Sequence, residues 1–250
     1  MKNQPKISVV TICRNAGAMV EKTILSILSQ NYPNLEYIVI DGASTDNTLV
    51  YINKYRKELS YLISEPDEGI SDAFNKGISL ATGDIVIILN ADDTLVKGAL
   101  EKIADLHLKN PESVIFGDIL YENAITKKTV VTKPKISDIK KRMSLHHLAM
   151  FVPLQVYKNV GFYRKDLRVS MDYEFIARCL SRGVSFVYEP LSFGTMTGGG
   201  VSHKQWGKSL KEQAKIRIEY QYASPTQAFL AYHYRKTRDR LLSIFEKLRS

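Results

Sequence analysis

The chain has 250 residues, of which 44% are hydrophobic and 24% charged, which suits one globular α/β domain with a sizeable core. It holds no apolar run of about 18 residues, so no transmembrane helix is expected. The stretch Ile7 to Ile12 is too short for a signal peptide and runs straight into Arg14. The two cysteines, Cys13 and Cys179, offer no disulfide framework and point to a reducing cytosol. The net charge is +9, but residues 204–250 carry eleven Lys/Arg against four Asp/Glu, while the first 203 residues carry 24 against 22. The basic character therefore belongs to the C-terminal part. Charge alone fits an anionic surface and a solvated helical face equally well.

In chain order, Ile7 to Ile12 is a β-branched apolar run typical of a buried parallel strand. Residues 17–29 place Met19, Ile24, Leu25 and Leu28 at helical spacing. Leu35 to Ile40 reads as a second strand, ended by Asp41-Gly42, and Ser44-Thr45-Asp46 reads as a helix start. Tyr61 to Ile63 is a short third strand, residues 70–81 a helix, and Asp84 to Leu89 a fourth strand. This alternation predicts βαβ units and a mostly parallel sheet. Further on, Val114 to Tyr121 and Thr129 to Thr132 pair as a hairpin, and residues 133–146 are basic and loop-like. Residues 171–182 form a helix, Val184 to Tyr188 a strand, and Thr197 to Gly200 a flexible hinge or lid. Two helices follow, separated near Ser224-Pro225.

Ligands of such sheets bind beyond the carboxyl ends of the strands. Arg14-Asn15, Asp41-Gly42, Glu65 to Gly69 and Asn90 to Asp93 should therefore share one rim. Carboxylates at the end of the strand before Asn90-Ala91-Asp92-Asp93 can reach one divalent cation whose shell substrate phosphates complete. The plain alternative is that Asp92 or Asp93 caps a helix starting near Val96. Asp41 could accept from a ribose or a base, or simply close a turn before glycine. Asn75 and Lys76 could contact phosphate or sugar, or be solvated. Asp172 lies at a helix start, where a carboxylate caps as readily as it acts as a base. His146-His147 has no partner at metal-ligand spacing and reads as loop. His203 is a further candidate for phosphate or metal contact. No G-x-G-x-x-G turn and no P-loop occurs, which argues against NAD binding and a P-loop NTPase.

Taken together, four ordered stretches carry a resemblance: Ser8 to Asn15, Ile40 to Thr48, Asp72 to Ile78 and Ala81 to Asp93. They resemble family 2 glycosyltransferases of the GT-A fold, closely over residues 6–95 and more loosely to about 205. The bacterial members that build O-antigen, capsule or exopolysaccharide repeat units are the most similar in kind. The resemblance implies an α/β GT-A fold with a mostly parallel sheet in a Rossmann-like nucleotide-binding half and a helical C-terminal extension. It divides the chain into a catalytic domain, 1–203, and a basic extension, 204–250.

It also implies a metal-dependent, inverting hexosyltransferase that uses a nucleotide-sugar donor, with a UDP-sugar foremost. Thr11, Arg14, Asp41, Asp67, Asn75, Lys76, Ala91 and Asp92 would bind that donor. Asp92, with His203 as a second candidate, would hold Mn²⁺ or Mg²⁺. Asp172 would be the catalytic base, with His147 and Glu174 facing the acceptor, a polyprenyl-diphosphate-linked saccharide. The basic tail would then lie on the anionic inner face of the cytoplasmic membrane, or bury its aromatics in a homodimer; nucleic acid is not an expected partner. Three positions depart from the family pattern: Asn90 stands for the first Asp of D-x-D, Met171 for an acidic residue, and Glu174 for a second Asp. A nucleotidyltransferase is disfavoured by the lack of a Gly-rich basic loop at Cys13 to Gly17. A non-catalytic sugar-nucleotide-binding subunit is the other alternative, motivated by Asn90.

Overall fold

The computed structural model describes residues 4–124, 126–198 and 205–249, with side chains as far as Arg238. Strands β1 (Ile7–Cys13), β2 (Leu35–Asp41), β3 (Tyr61–Ser64) and β4 (Ile85–Asn90) alternate with helices α1 (Met19–Leu28), α2 (Thr48–Asn53) and α3 (Ile70–Leu80). The second half adds β5 (Thr94–Leu95), α4 (Ala99–Lys109), β6 (Val114–Glu122), β7 (Thr129–Thr132), β8 (Met150–Pro153), α5 (Leu154–Val160), α6 (Met171–Ser181) and β9 (Phe186–Thr197). Helices α7 (Trp206–Glu219) and α8 (Pro225–Arg249) follow. One sheet runs in the order β3-β2-β1-β4-β8-β6-β9-β5, with β7 on β6. Its first four strands are parallel, β8 is antiparallel to β4 and β6, and β6 and β9 are again parallel.

All seven residues of β1 are buried, because the strand is central and both of its faces are covered. Ile7, Val9 and Cys13 pack with α1, Ile52 of α2, and Leu100 and Ile103 of α4. Val10 and Ile12 pack with Ala73, Phe74 and Ile78 of α3 and with α5 and α6. Helix α3 approaches β1 so closely that a Cβ at Gly77 would run into the Val10 side chain. The parallel register sets Cys13 beside Asp41 and Ile12 beside Asn90, so the rim expected from topology is formed.

The second half differs from the sequence pattern in four places. The helix expected near Val96 begins at Ala99, with Gly98 at its N-cap, because Thr94–Leu95 first pairs with β9. Neither Asp92 nor Asp93 caps it. The strand expected at 184–188 runs to Thr197, carried on by pairing with β6 beyond a bulge at Gly117 to Ile119. Elements β8 and α5 are too short to show a period in the sequence. Within the loop-like stretch 133–146, Ile136–Lys140 makes a 3₁₀ turn that buries Ile139.

At the amino ends of the parallel strands, Glu36 ties three segments together. It accepts from Lys6 Nζ at 2.6 Å, Ser8 Oγ at 2.5 Å, and the Thr82 backbone and hydroxyl at 2.7 and 2.6 Å. Burial alone would raise its pKa, but these donors outweigh it and hold the carboxyl at about 2. The folded pKa lies below the unfolded one, so this stabilisation is complete above the unfolded value and fades as pH falls toward 2. Glu36→Gln should lower stability at pH 7 by on the order of 2 kcal/mol. It should also flatten the loss of stability between about pH 5 and pH 2, as read by urea melts across that range. An unchanged acid limb would contradict this.

Candidate active site

Two loops make one side of the rim. Asn15 has φ 51°, and its side-chain oxygen accepts from Thr45 N at 2.8 Å while its own N–H donates to Ser44 Oγ at 2.8 Å. Thr48 Oγ accepts from Ala16 N and Gly17 N at 2.8 and 2.9 Å. The Ser44-Thr45-Asp46-Asn47-Thr48 stretch thus laces the β1 loop to the β2 loop. Asp41 is fully buried. It accepts from the Ser44 hydroxyl, from Ser44 N at 3.0 Å and from Ser64 Oγ at 2.6 Å. Its carboxylate thus forms an Asx turn that holds β2 to β3.

Arg14 and Asp67 meet over Gly42. A Cβ there would lie 2.5 Å from Asp67 Oδ2 and 3.4 Å from Arg14 Cδ, so only glycine leaves both side chains in place. Lys76 reaches up from α3 to Asp67 and Glu65 at 2.9 Å each and to Asp72 at 3.4 Å. Burial disfavours its charge, but the Asp67 and Glu65 carboxylates outweigh that and raise its pKa. Lys76 is thus a fixed cation that holds Asp67 at the rim.

The other side of the rim is acidic. Asp92 is half-buried, and Asp93 is 1% exposed with its Oδ2 lacking a hydrogen-bond partner. Thr23 of α1 fixes the Asp93 carbonyl at 2.7 Å. His147 enters from the turn before β8, its Nε2 3.0 Å from Asn90 Nδ2 and 3.6 Å from Asp93 Oδ2. Its ring packs on Phe74, 5.8 Å between centroids. Asp172, on the first turn of α6, is near enough for its charge to act on His147.

Burial disfavours an imidazolium at His147, but Asp93 first, then Asp172 and Asp92, outweigh it and raise its pKa. Burial raises the pKa of Asp92, Asp93 adds to the rise, and His147 opposes it. Burial also raises Asp172, against His147 and the Tyr173 N–H that its Oδ1 accepts at 2.8 Å. His146 is different: burial and its neighbour's charge press its pKa down to about 4, so it stays neutral.

Residues 8–169 match the family described as Glycosyl transferase family 2. The chain belongs to that family. A PGL/p-HBAD biosynthesis glycosyltransferase of Mycobacterium bovis is 28% identical over 71% of this chain and 70% of its own length. An uncharacterised glycosyltransferase of Haemophilus influenzae is 26% identical over 99% and 87%. Among solved structures, residues 1–349 of S. aureus TarS in complex with UDP-GlcNAc superpose with a TM-score of 0.67 at 16% identity, over 91% of this chain and 70% of that one. The chain spans 41% of the longer TarS chain. The mannosyltransferase PcManGT from Pyrobaculum calidifontis, in complex with GDP-Man and Mn²⁺, superposes with a TM-score of 0.66 at 18% identity, over 93% and 70%. These similarities establish the GT-A fold.

Not every residue singled out in the family 2 pattern presents its side chain to the rim. Thr11 is fully buried and its hydroxyl pairs with Tyr37 OH at 3.1 Å. Ala91 is buried in the core beside β4. Asn75 uses both ends of its amide on the Tyr163 backbone, at 2.8 and 2.9 Å, which ties α3 to the segment before α6. Glu174 is fully buried, paired with Arg178 at 2.9 Å and with Tyr220 OH at 2.6 Å. It points back into the α6–α7 packing, not toward an acceptor. His203, Gly199 and Gly200 lie outside the described residues.

The sequence singled out Asp93 with Asp92 and gave His147 a place facing the acceptor, but it did not show that His147 sits against Asn90 and Asp93. Adjacency of two histidines hides that only one of them faces the carboxylates. Among the described residues no group of three or more His, Cys, Asp or Glu side chains forms a metal cage. Asp92 and the unpartnered Asp93 oxygen suit a hard cation that takes few protein ligands and several phosphate oxygens.

Proposed function

We propose that this family 2 glycosyltransferase moves a hexose from a UDP-sugar to a hydroxyl of a polyprenyl-diphosphate-linked saccharide, with inversion, in bacterial surface polysaccharide synthesis. The observation that carries the reading is the clustering of Asp92, Asp93 and His147 at the carboxyl rim that Arg14 and Asp67 share, with Asp172 near enough for its charge to act on His147. A donor laid along that rim would have its nucleoside on the Arg14 and Asp67 side and its diphosphate on the acidic side. Relatives support this in part: TarS has been solved with UDP-GlcNAc and PcManGT with GDP-Man and Mn²⁺.

Asp92, with Asp93 behind it, would hold a divalent cation, which supplies positive charge to the diphosphate as it leaves. Asp172 would accept the proton of the acceptor hydroxyl as that oxygen attacks the anomeric carbon and the bond to the diphosphate breaks. Burial keeps its carboxylate basic enough for that task. His147 would keep the neighbouring carboxylates in register. A non-catalytic reading draws on Asn90, which contacts His147 where a D-x-D site would offer another carboxylate. Asp172→Asn should leave Mn²⁺-dependent UDP affinity within about twofold while cutting transfer from UDP-hexoses by a factor of about a thousand or more. Retained transfer would remove Asp172 as the base, and no UDP release from UDP-hexoses or GDP release from GDP-hexoses by the wild-type chain would favour the non-catalytic reading.

The tail is proposed to dock on the anionic inner face of the cytoplasmic membrane. Among the described residues no helix is long and apolar enough to cross a membrane. Helix α8 exposes Phe229, Leu230 and Tyr234 at 60%, 61% and 68%, and Lys208, Lys211, Arg235 and Lys236 lie on α7 and α8. Apolar anchors with basic residues suit an anionic interface. Flotation with phosphatidylglycerol vesicles should fall by a factor of about ten or more for Phe229→Ser with Lys236→Glu. Equal flotation would contradict the docking, and a dimer in solution that the same pair of changes dissociates would favour the homodimer.

A further inference from the structure

Helix α7 reaches back to the start of the helix that carries Asp172. Its Glu212 is 8% exposed and accepts three successive backbone N–H groups, those of Arg168 at 3.0 Å, Val169 at 3.0 Å and Ser170 at 2.8 Å. Ser170 is the N-cap of α6, and its hydroxyl makes no capping bond within the helix. Instead it lies 3.2 Å from Ser209 Oγ, one turn of α7 before Glu212. The entry to α6 is thus held by groups some 40 residues away in sequence. Exposed amides at a helix start need acceptors and favour negative charge, and a carboxylate supplies stronger bonds than a neutral acceptor.

Resting on the reading of Asp172 as the base, we propose that Glu212 is a positioning residue: its carboxylate fixes the turn 168–170 and so holds Asp172 at the acidic rim. The distance from clamp to base is two residues, and both lie on one rigid helical start. The docking of α7 itself does not depend on Glu212. Leu210 and Ile216 are buried, and Tyr220 OH reaches Glu174 of α6 at 2.6 Å. A variant at 212 should therefore keep the helix pair and lose the precise placement. The charge of Glu212 is also felt at Asp172, where it adds to burial in keeping that carboxyl basic. Helix α7 would then position the base and not only serve as a means of attachment.

The test uses the full chain as wild type, Glu212→Asp and Glu212→Gln. Hydrogen–deuterium exchange reads the amides of Arg168, Val169 and Ser170. UDP binding with Mn²⁺ reads the donor side. Turnover is UDP released from UDP-GlcNAc, UDP-glucose or UDP-galactose in the presence of Mn²⁺, with water taking the place of the acceptor hydroxyl and the free sugar as the other product. Glu212→Gln should speed exchange at the three amides by a factor of about ten and lower kcat by a similar factor. Its UDP affinity should stay within about twofold of wild type. Glu212→Asp, which keeps the charge on a shorter arm, should fall between the two on both readouts.

Unchanged amide protection in Glu212→Gln overturns the clamp. Lost protection with full turnover overturns its role in catalysis, as does a loss of UDP affinity that matches the loss of turnover. Asp172→Asn, measured alongside, separates the two readings: full turnover there removes the base, while the amide exchange still reads the clamp.

Discussion

Carboxylates gathered at a half-buried rim repel one another, and the arrangement stands only because positive charge is placed among them. His147 does this for Asp92, Asp93 and Asp172. Asp92 and Asp172 lose hydration where they sit, which favours their neutral forms, and the His147 imidazole opposes that loss. Asp93 Oδ2 pairs with the His147 ring at 3.6 Å, beyond hydrogen-bonding distance, and has no hydrogen-bond donor. Asp92 and that oxygen suit a divalent cation that takes few protein ligands, and burial raises the pKa of the Asp172 carboxyl against the opposing charge of His147.

The backbone supplies the convergence. Because β1 is buried on both faces and bracketed in parallel by β2 and β4, three chain segments end at one level. The polar lacing between Asn15, Ser44, Thr45 and Thr48 then fixes the loops without using the side chains that point outward. Antiparallel β8 brings His147 in from the opposite side. Helix α6 brings Asp172, anchored by Glu174, Arg178 and Tyr220 behind it and by Glu212 at its start.

Much of the first half was legible in the sequence. A strand buried on both faces is written as a continuous apolar run, so β1, β2 and β4 and the rim they share follow from the residues alone. Asp92 was legible because it directly follows such a strand. In the second half the β6–β7 hairpin, α6, the start of β9 and the two C-terminal helices were legible too, but β5, β8 and α5 were not, because they are short and set by packing with distant segments and not by a local period. A family pattern also marks positions without saying what they do. Thr11, Asp41, Asn75 and Glu174 belong to motif stretches, yet their polar atoms are taken up by the protein itself. Conversely, the place of His147 depends on residues 54 to 57 positions earlier and 25 later, and Glu212 holds the turn 168–170 from more than 40 residues away. Neither spacing leaves a mark in a single sequence.

The central claim is that the acidic side of the rim holds a metal–diphosphate unit with Asp172 open to the acceptor. A crystal structure of the full chain soaked with UDP and Mn²⁺, phased to show the anomalous signal of manganese, addresses it directly. The account predicts manganese bound by Asp92 or Asp93 and by both phosphates of UDP, with the uracil on the Arg14 and Asp67 side and Asp172 facing the open end of the diphosphate. Manganese and UDP bound elsewhere, or UDP bound at the rim with Asp172 turned away from it, would contradict the account.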